Sequence, residues 1–206
     1  MVKKILITGG AGFIGSMLTT RLLALGYQVT VVDKLKYNNL SLAHLYINKN
    51  FNFFKEDIRN IDFMKKIVKN YDLIIPLAAL VGAPLCEKNK KEALEVNLGS
   101  IETLIKILNV KQKIIYPTTN SGYGIGSKSK YCTEKTQLNP ISLYGSTKVN
   151  AEKIILSRKN SISLRLATVF GYSYRMRTDL LVNNFVLRAV KENKIELFEP
   201  HFRRNF

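Results

Sequence analysis

Eight residues near the start, Thr8-Gly9-Gly10-Ala11-Gly12-Phe13-Ile14-Gly15, constrain the chain more than any other feature. They lie between a short β-rich apolar run, Val2 to Thr8, and a stretch of helical apolar spacing, Phe13 to Leu25, that stops at Gly26. Glycines between a strand and a helix serve a tight turn, a close approach of backbone to a pyrophosphate, and the packing of helix on strand. The helix start then offers free N–H groups to phosphate oxygens. Taken alone, the motif also fits a strand-to-helix turn that binds nothing. Asp33 separates the two readings. It ends the second apolar run, 18 positions after Gly15, where a carboxylate accepts hydrogen bonds from an adenosine ribose. The same carboxylate repels a 2′-phosphate and favours NAD over NADP, with Lys34 beside it pulling the other way.

The pattern recurs along the chain. Gln28 to Asp33, Phe51 to Lys55, Asp72 to Pro76, Lys113 to Pro117 and Ser161 to Val169 read as further strands. Helices are predicted at Ile61 to Val68, Lys91 to Leu108 and Leu143 to Ser157. Alternation of apolar strands with amphipathic helices predicts a parallel sheet covered on both faces, a doubly wound α/β fold. Beyond it, Asp179 to Lys191 reads as a helix and Ile195 to Phe198 as a strand, and the longest loop is Gly122 to Lys135. With 206 residues, 46% of them hydrophobic, the chain can close one sizeable core.

Charge and cysteines narrow the functional classes. The net charge of +17 comes from 32 Lys+Arg against 15 Asp+Glu, which raises a polyanion partner. The basic residues are scattered, however, as at Lys3, Lys4, Lys65, Lys66, Lys69, Lys90 and Lys91, and read as solvated helix faces rather than a nucleic-acid stripe. Cys86 and Cys132 are too few for a disulfide framework or zinc site and fit a reduced, cytoplasmic protein. No run is long and apolar enough to span a bilayer, so neither a membrane nor a bound metal is expected.

A second constellation is Tyr144-Gly145-Ser146-Thr147-Lys148 at a predicted helix start. The i, i+4 spacing puts phenol and ammonium on one face. A phenol with pKa near 10 is a poor base at neutral pH, but a neighbouring cation and a cationic nicotinamide favour its phenolate. Such a pair can take a proton from an alcohol while hydride leaves to a cofactor. By itself Tyr-x-x-x-Lys is also a common surface pattern.

In order, the glycine motif, Asp33, Asp57-Ile58 after the third strand, Leu77-Ala78-Ala79 after the fourth and Tyr144/Lys148 after the fifth resemble the extended short-chain dehydrogenase/reductases, in their NAD-dependent nucleotide-sugar epimerase/dehydratase branch. The resemblance covers essentially the whole chain. It implies an NAD-binding domain over residues 1–170, and over 171–206 the start of a substrate-binding lobe that breaks off at Phe206. It further implies that Gly9, Gly12, Phe13, Ile14 and Gly15 line the pyrophosphate, that Asp33 holds the adenosine ribose, and that Asp57 and Ile58 border the adenine. Leu77, Ala78 and Ala79 flank the cofactor on its other side, and Asn97 either supports it or is a plain helix-interior polar residue. Tyr144 is the acid/base, Lys148 lowers its pKa and holds the nicotinamide ribose, and Thr119, with Thr118 as the alternative register, bonds the reacting hydroxyl. Arg204, with Asn183 or Asn184, meets the nucleotide diphosphate.

Two departures bear on the reaction. The sugar 4,6-dehydratases of this family follow their Ser/Thr with an Asp-Glu pair, because eliminating water needs an acid and a base besides the tyrosine. Asn120 and Ser121 stand there instead, which favours an epimerase: oxidation of a sugar hydroxyl, turning of the keto sugar, and return of hydride to its other face. Pro76 stands where many relatives have histidine. The competing readings are a reductase or dehydratase on a similar sugar nucleotide, and a catalytically silent NAD-binding module. The resemblance also implies a homodimer through the helices around Lys91 to Leu108 and Leu143 to Ser157, packed as a four-helix bundle.

Overall fold

The structure, a computed structural model, describes residues 3–125 and 131–197. Six strands form one sheet: β1 (Lys4–Thr8), β2 (Gln28–Val32), β3 (Phe51–Phe54), β4 (Leu73–Pro76), β5 (Lys113–Thr119) and β6 (Ser161–Leu166). They lie in the order β3-β2-β1-β4-β5-β6, every neighbouring pair parallel. The chain steps outward from β1 to β3, returns to the centre for β4, and steps outward the other way. Connections therefore diverge between β1 and β4, leaving a crevice at their carboxyl ends, the usual ligand position in such sheets. The expected doubly wound fold is the observed one.

β1 shows why the strands read as apolar throughout. Ile5 and Ile7 pack with Leu23, Val29, Val31 and Leu45 on one face. Leu6 points the other way, into Met64, Val68, Ile101, Leu104 and Ile155. Side chains alternate along a strand, and because both faces are covered, both sets are apolar. Each fully buried aliphatic side chain stabilises this arrangement by about 1.5–3 kcal/mol. Helix α1 (Phe13–Ala24) covers the first face, and α2 (Ile61–Val68) covers part of the second. The α2 start is fixed by Asn60, whose side chain accepts from the Phe63 N–H.

The stretch predicted as one helix from Lys91 to Leu108 is built differently. A helix absent from the sequence reading, α3 (Ala83–Lys88), comes first, then α4 (Lys90–Leu94), a π-helical turn Glu95–Gly99, and α5 (Ser100–Ile107). Asn89, at φ −130° and ψ 55°, separates α3 from α4. In the wide turn the Ser100 hydroxyl donates to the Val96 carbonyl at 2.6 Å, while Asn97 turns inward. Helix α6 (Leu143–Leu156) begins at Ser142, whose hydroxyl accepts from the Gly145 N–H, and α7 (Leu181–Glu192) closes the described chain. β6 stops at Leu166 rather than Val169, because β5 runs no further than its Thr119 partner. Residues Ile195 to Leu197 carry no strand, and Phe198 lies outside the described residues.

Candidate active site

The opening glycines line the crevice. Gly9 has φ +72°, and a Cβ on it would fall 2.4 Å from the Ala78 backbone nitrogen, so only glycine lets β1 and β4 exit side by side. A Cβ on Gly15 would meet the Gly10 Cα at 2.6 Å, which keeps α1 close against the turn. The Gly12 N–H donates to the Gly9 carbonyl at 3.1 Å, and the first helical bond runs from the Ser16 N–H to the Gly12 carbonyl. The N–H groups of Phe13, Ile14 and Gly15 thus precede the helical ladder and point out of the helix start. No side chain caps them. Leu77, Ala78 and Ala79 form the opposite wall, with the Leu77 N–H donating to the Thr8 carbonyl at 2.8 Å.

Asp33 sits at the end of β2 and ties the glycine loop to its own. One carboxylate oxygen accepts from the Ala11 N–H at 3.0 Å, the other from the Leu35 N–H at 2.8 Å. Burial pushes its pKa up, and these two bonds oppose the rise. Each oxygen keeps lone pairs for further donors, as an acceptor of ribose hydroxyls requires. Asp57 is differently engaged: Arg59 grips it through Nε at 3.0 Å and Nη2 at 2.7 Å, and Lys34 approaches at 3.3 Å. The Arg59 bond in particular holds the Asp57 carboxyl well below the usual range. Ile58, beside it, packs between two apolar clusters.

Asn97 makes the contacts of a peptide clamp. Its oxygen accepts from the Leu80 N–H at 2.8 Å and its nitrogen donates to the Leu80 carbonyl at 2.9 Å, with Thr147 of α6 at 3.4 Å. It supports the wall that follows β4 rather than presenting its own amide to the crevice.

The phenol and the amine meet at the carboxyl end of β5. Tyr144, in the first turn of α6, lies against Thr119, the last residue of β5. Burial pushes its pKa up to about 12, and the Cys86 thiol adds to the rise; Thr119 and the Arg177 guanidinium oppose it. Lys148, one turn on, is 5% exposed. Its Nζ lies 3.9 Å from the centre of the Tyr116 ring and has no hydrogen-bond acceptor among the described residues. Burial brings its pKa down to about 7 against an upward pull from Glu152. A buried ammonium without an acceptor calls for a polar partner; the hydroxyl of Tyr116, whose ring it overlies, is also buried without a partner among the described residues, as is that of Thr118. Thr118 is thereby turned inward, leaving Thr119 as the residue that touches Tyr144. The Thr119 hydroxyl also receives the Ser121 N–H and lies 3.1 Å from the Ser121 hydroxyl.

Several contributing residues were not singled out from the sequence. Glu152 continues the Tyr144–Lys148 stripe one turn further and is held by Arg165 of β6 at 2.8 Å. Arg177, paired with Asp179, brings a cation to Tyr144 from the loop before α7. Ser173 fastens that loop to α1, its hydroxyl donating to the Phe13 carbonyl at 2.7 Å. Arg177 and Ser173 carry no local signal, since they reach Tyr144 and Phe13 across 33 and 160 positions, and the i, i+4 spacing of Glu152 from Lys148 does not reveal its Arg165 partner. Of the substrate candidates, Asn183 spends both ends of its amide on the same loop, on the Gly171 N–H at 2.8 Å and the Arg177 carbonyl at 3.0 Å. Among the described residues, Asn184 donates to the Thr178 carbonyl at 3.2 Å and its side-chain oxygen has no donor. Arg204 lies outside the described residues.

A glycine cradle closed to any Cβ, a helix start with uncapped N–H groups, a carboxylate with spare lone pairs and a buried amine lacking an acceptor fit a nicotinamide dinucleotide laid across the switch point. These features define a Rossmann-type dinucleotide-binding domain. The chain belongs to the NAD dependent epimerase/dehydratase family, whose sequence model matches residues 5–202. It is similar to the UDP-glucuronic acid 4-epimerase of Bacillus cereus solved with UDP-glucuronic acid and NAD, at 29% identity and a TM-score of 0.79 over 92% of this chain and 63% of that one. It is also 34% identical over 128 residues to a UDP-N-acetyl-alpha-D-glucosaminuronate decarboxylase of Bacillus cytotoxicus, covering 62% of this chain and 40% of the relative. A dTDP-D-glucose 4,6-dehydratase of Dictyostelium discoideum is 34% identical over 181 residues, 79% of this chain and 42% of the relative. The chain thus spans less than two thirds of each of these proteins. NAD is the family's cofactor, and among the described residues no helix is long and apolar enough to cross a membrane.

Proposed function

We propose that the chain is the cofactor-binding and catalytic part of an NAD-dependent nucleotide-sugar epimerase. The observation that carries this reading is the turn after Thr119: Asn120 and Ser121 follow it there, the Ser121 hydroxyl 3.1 Å from that of Thr119, and neither side chain carries a carboxyl group. Dehydration needs an acid and a base beyond the tyrosine, whereas epimerisation asks one group to take a proton and give it back. NAD, when bound, would supply a reversible hydride acceptor. Tyr144 removes the proton from the sugar hydroxyl and restores it after the keto sugar has turned. Lys148, in its protonated form, favours the phenolate by Coulomb attraction and donates to the nicotinamide ribose. Thr119 holds the substrate oxygen in line with the phenol. Gly9, Gly12, Phe13, Ile14 and Gly15 bind the pyrophosphate, Asp33 the adenosine ribose, and Asp57 with Ile58 the adenine edge. Asn184 and Arg204 take the nucleotide diphosphate, while Asn183 fastens the loop that carries Arg177. The protein acts as a homodimer through α4–α5 and α6, on which Leu94 and Leu156 are exposed at 47% and 49%; a monomer mass by light scattering at micromolar concentration would contradict this part.

The test is to denature the purified protein, identify any released nicotinamide, and assay UDP-, GDP-, CDP- and dTDP-sugars with Tyr144→Phe as control. NAD together with an epimerised sugar in one series supports the proposal. Net consumption of added NADH points to a reductase, loss of water to a dehydratase, and NAD binding without sugar binding to a silent module.

A further inference from the structure

Three charged side chains beside the adenosine end of the crevice are unused by the reading above. Lys34 and Lys36 flank Leu35, whose N–H is bonded to the Asp33 carboxylate at 2.8 Å. The two lysines therefore spring from backbone wrapped around that carboxylate. Two ammonium groups so placed would suit a 2′-phosphate, the group that distinguishes NADP from NAD. Both are taken instead by one carboxylate, from a helix far along the chain. Glu92, in the first turn of α4, accepts from the Lys34 Nζ at 2.8 Å through one oxygen and from the Lys36 Nζ at 2.7 Å through the other. Asp57 holds Lys34 from a second side at 3.3 Å. The three partners are only a quarter to a third exposed, at 32%, 34% and 23% of their side chains, so solvent screens them less than a fully open surface pair.

We propose that Glu92 is a cofactor-specificity residue: by bridging Lys34 and Lys36 it withholds both cations from a 2′-phosphate and adds to the discrimination exerted by Asp33. The inference rests on Asp33 being the acceptor of the adenosine ribose. It assigns α4 a role in cofactor choice, although that helix starts 57 positions after Asp33.

The test is a set of fluorescence titrations with NADH and NADPH on the intact protein. Wild type is expected to bind NADH more tightly. Glu92→Gln is expected to tighten NADPH by ~3- to 10-fold, the size of one or two partly exposed charge contacts, with NADH held within about twofold. Lys34→Met/Lys36→Met alone is expected to leave NADPH unchanged, and on the Glu92→Gln background to erase the gain. A gain that survives removal of both lysines would overturn the proposal, as would an unchanged NADPH affinity in Glu92→Gln. Equal weakening of both nucleotides by Glu92→Gln would reduce Glu92 to a structural role and overturn it too. Wild type binding both nucleotides alike would instead overturn the role of Asp33.

Discussion

Tyr144 and Lys148 have opposite responses to the same burial. The neutral form is favoured in both, which raises the phenol and lowers the amine. Tyr144→Phe is expected to retain NAD and lose turnover by about 10²- to 10⁴-fold, the usual contribution of a positioned acid/base. For Lys148 the consequence is a pH dependence of stability in the cofactor-free protein. Its folded pKa, about 7, lies below that of an unfolded lysine. Between pH 7 and 10 the unfolded chain therefore holds the extra proton, and stability rises with pH by at most ~1.4 kcal/mol per unit. Urea unfolding at pH 7, 8 and 9 is expected to show a steeper rise for wild type than for Lys148→Met; parallel slopes would place the amine in water. Above pH 10 the raised Tyr144 reverses the sense, since the folded state then holds the extra proton. The pair itself was legible because i, i+4 spacing at a helix start is a local pattern. Arg177 and Glu152 were not, because their value depends on the 33 positions from Tyr144 to Arg177 and on a strand partner, Arg165, that spacing along α6 does not reveal.

Among the elements, the glycine turn and the wall after β4 have the least freedom to change. Gly9→Ala forces a left-handed residue and a collision with Ala78. A loss of roughly 1–3 kcal/mol is expected from the backbone alone, together with loss of NAD binding by calorimetry. Asn97→Ala strips the Leu80 N–H and carbonyl of their partners, and about 1–3 kcal/mol should be lost, read from the urea midpoint. Strand and helix order was readable because buried parallel strands are apolar on both faces and the helices between them are not. The break of the expected Lys91–Leu108 helix was hidden, since Lys, Glu, Ala and Leu there have ordinary helix propensity. The π turn arises from Asn97 reaching inward for Leu80, a demand of tertiary structure. Ile195 to Leu197 carry no strand for a related reason: a strand exists only where a neighbour shares its hydrogen bonds, and no described strand pairs with them.

At the scale of the whole molecule, the carboxyl edge of the sheet gathers one site, with the glycine turn, Asp33 and the Leu77–Ala79 wall from β1, β2 and β4 on one side and Thr119, Tyr144 and Lys148 from β5 and α6 on the other. The order β3-β2-β1-β4-β5-β6 brings them together. On the proposed reading, the dinucleotide and the phenol serve a single carbinol. The most direct measurement uses a nucleotide sugar carrying deuterium on the carbinol carbon that inverts, followed by near-ultraviolet absorbance and product mass. Reduced nicotinamide should rise and fall in one turnover, the product should keep its deuterium, and Tyr144→Phe should show neither. Epimerised product whose deuterium has been lost to solvent, with no reduced nicotinamide at any time, would contradict the account.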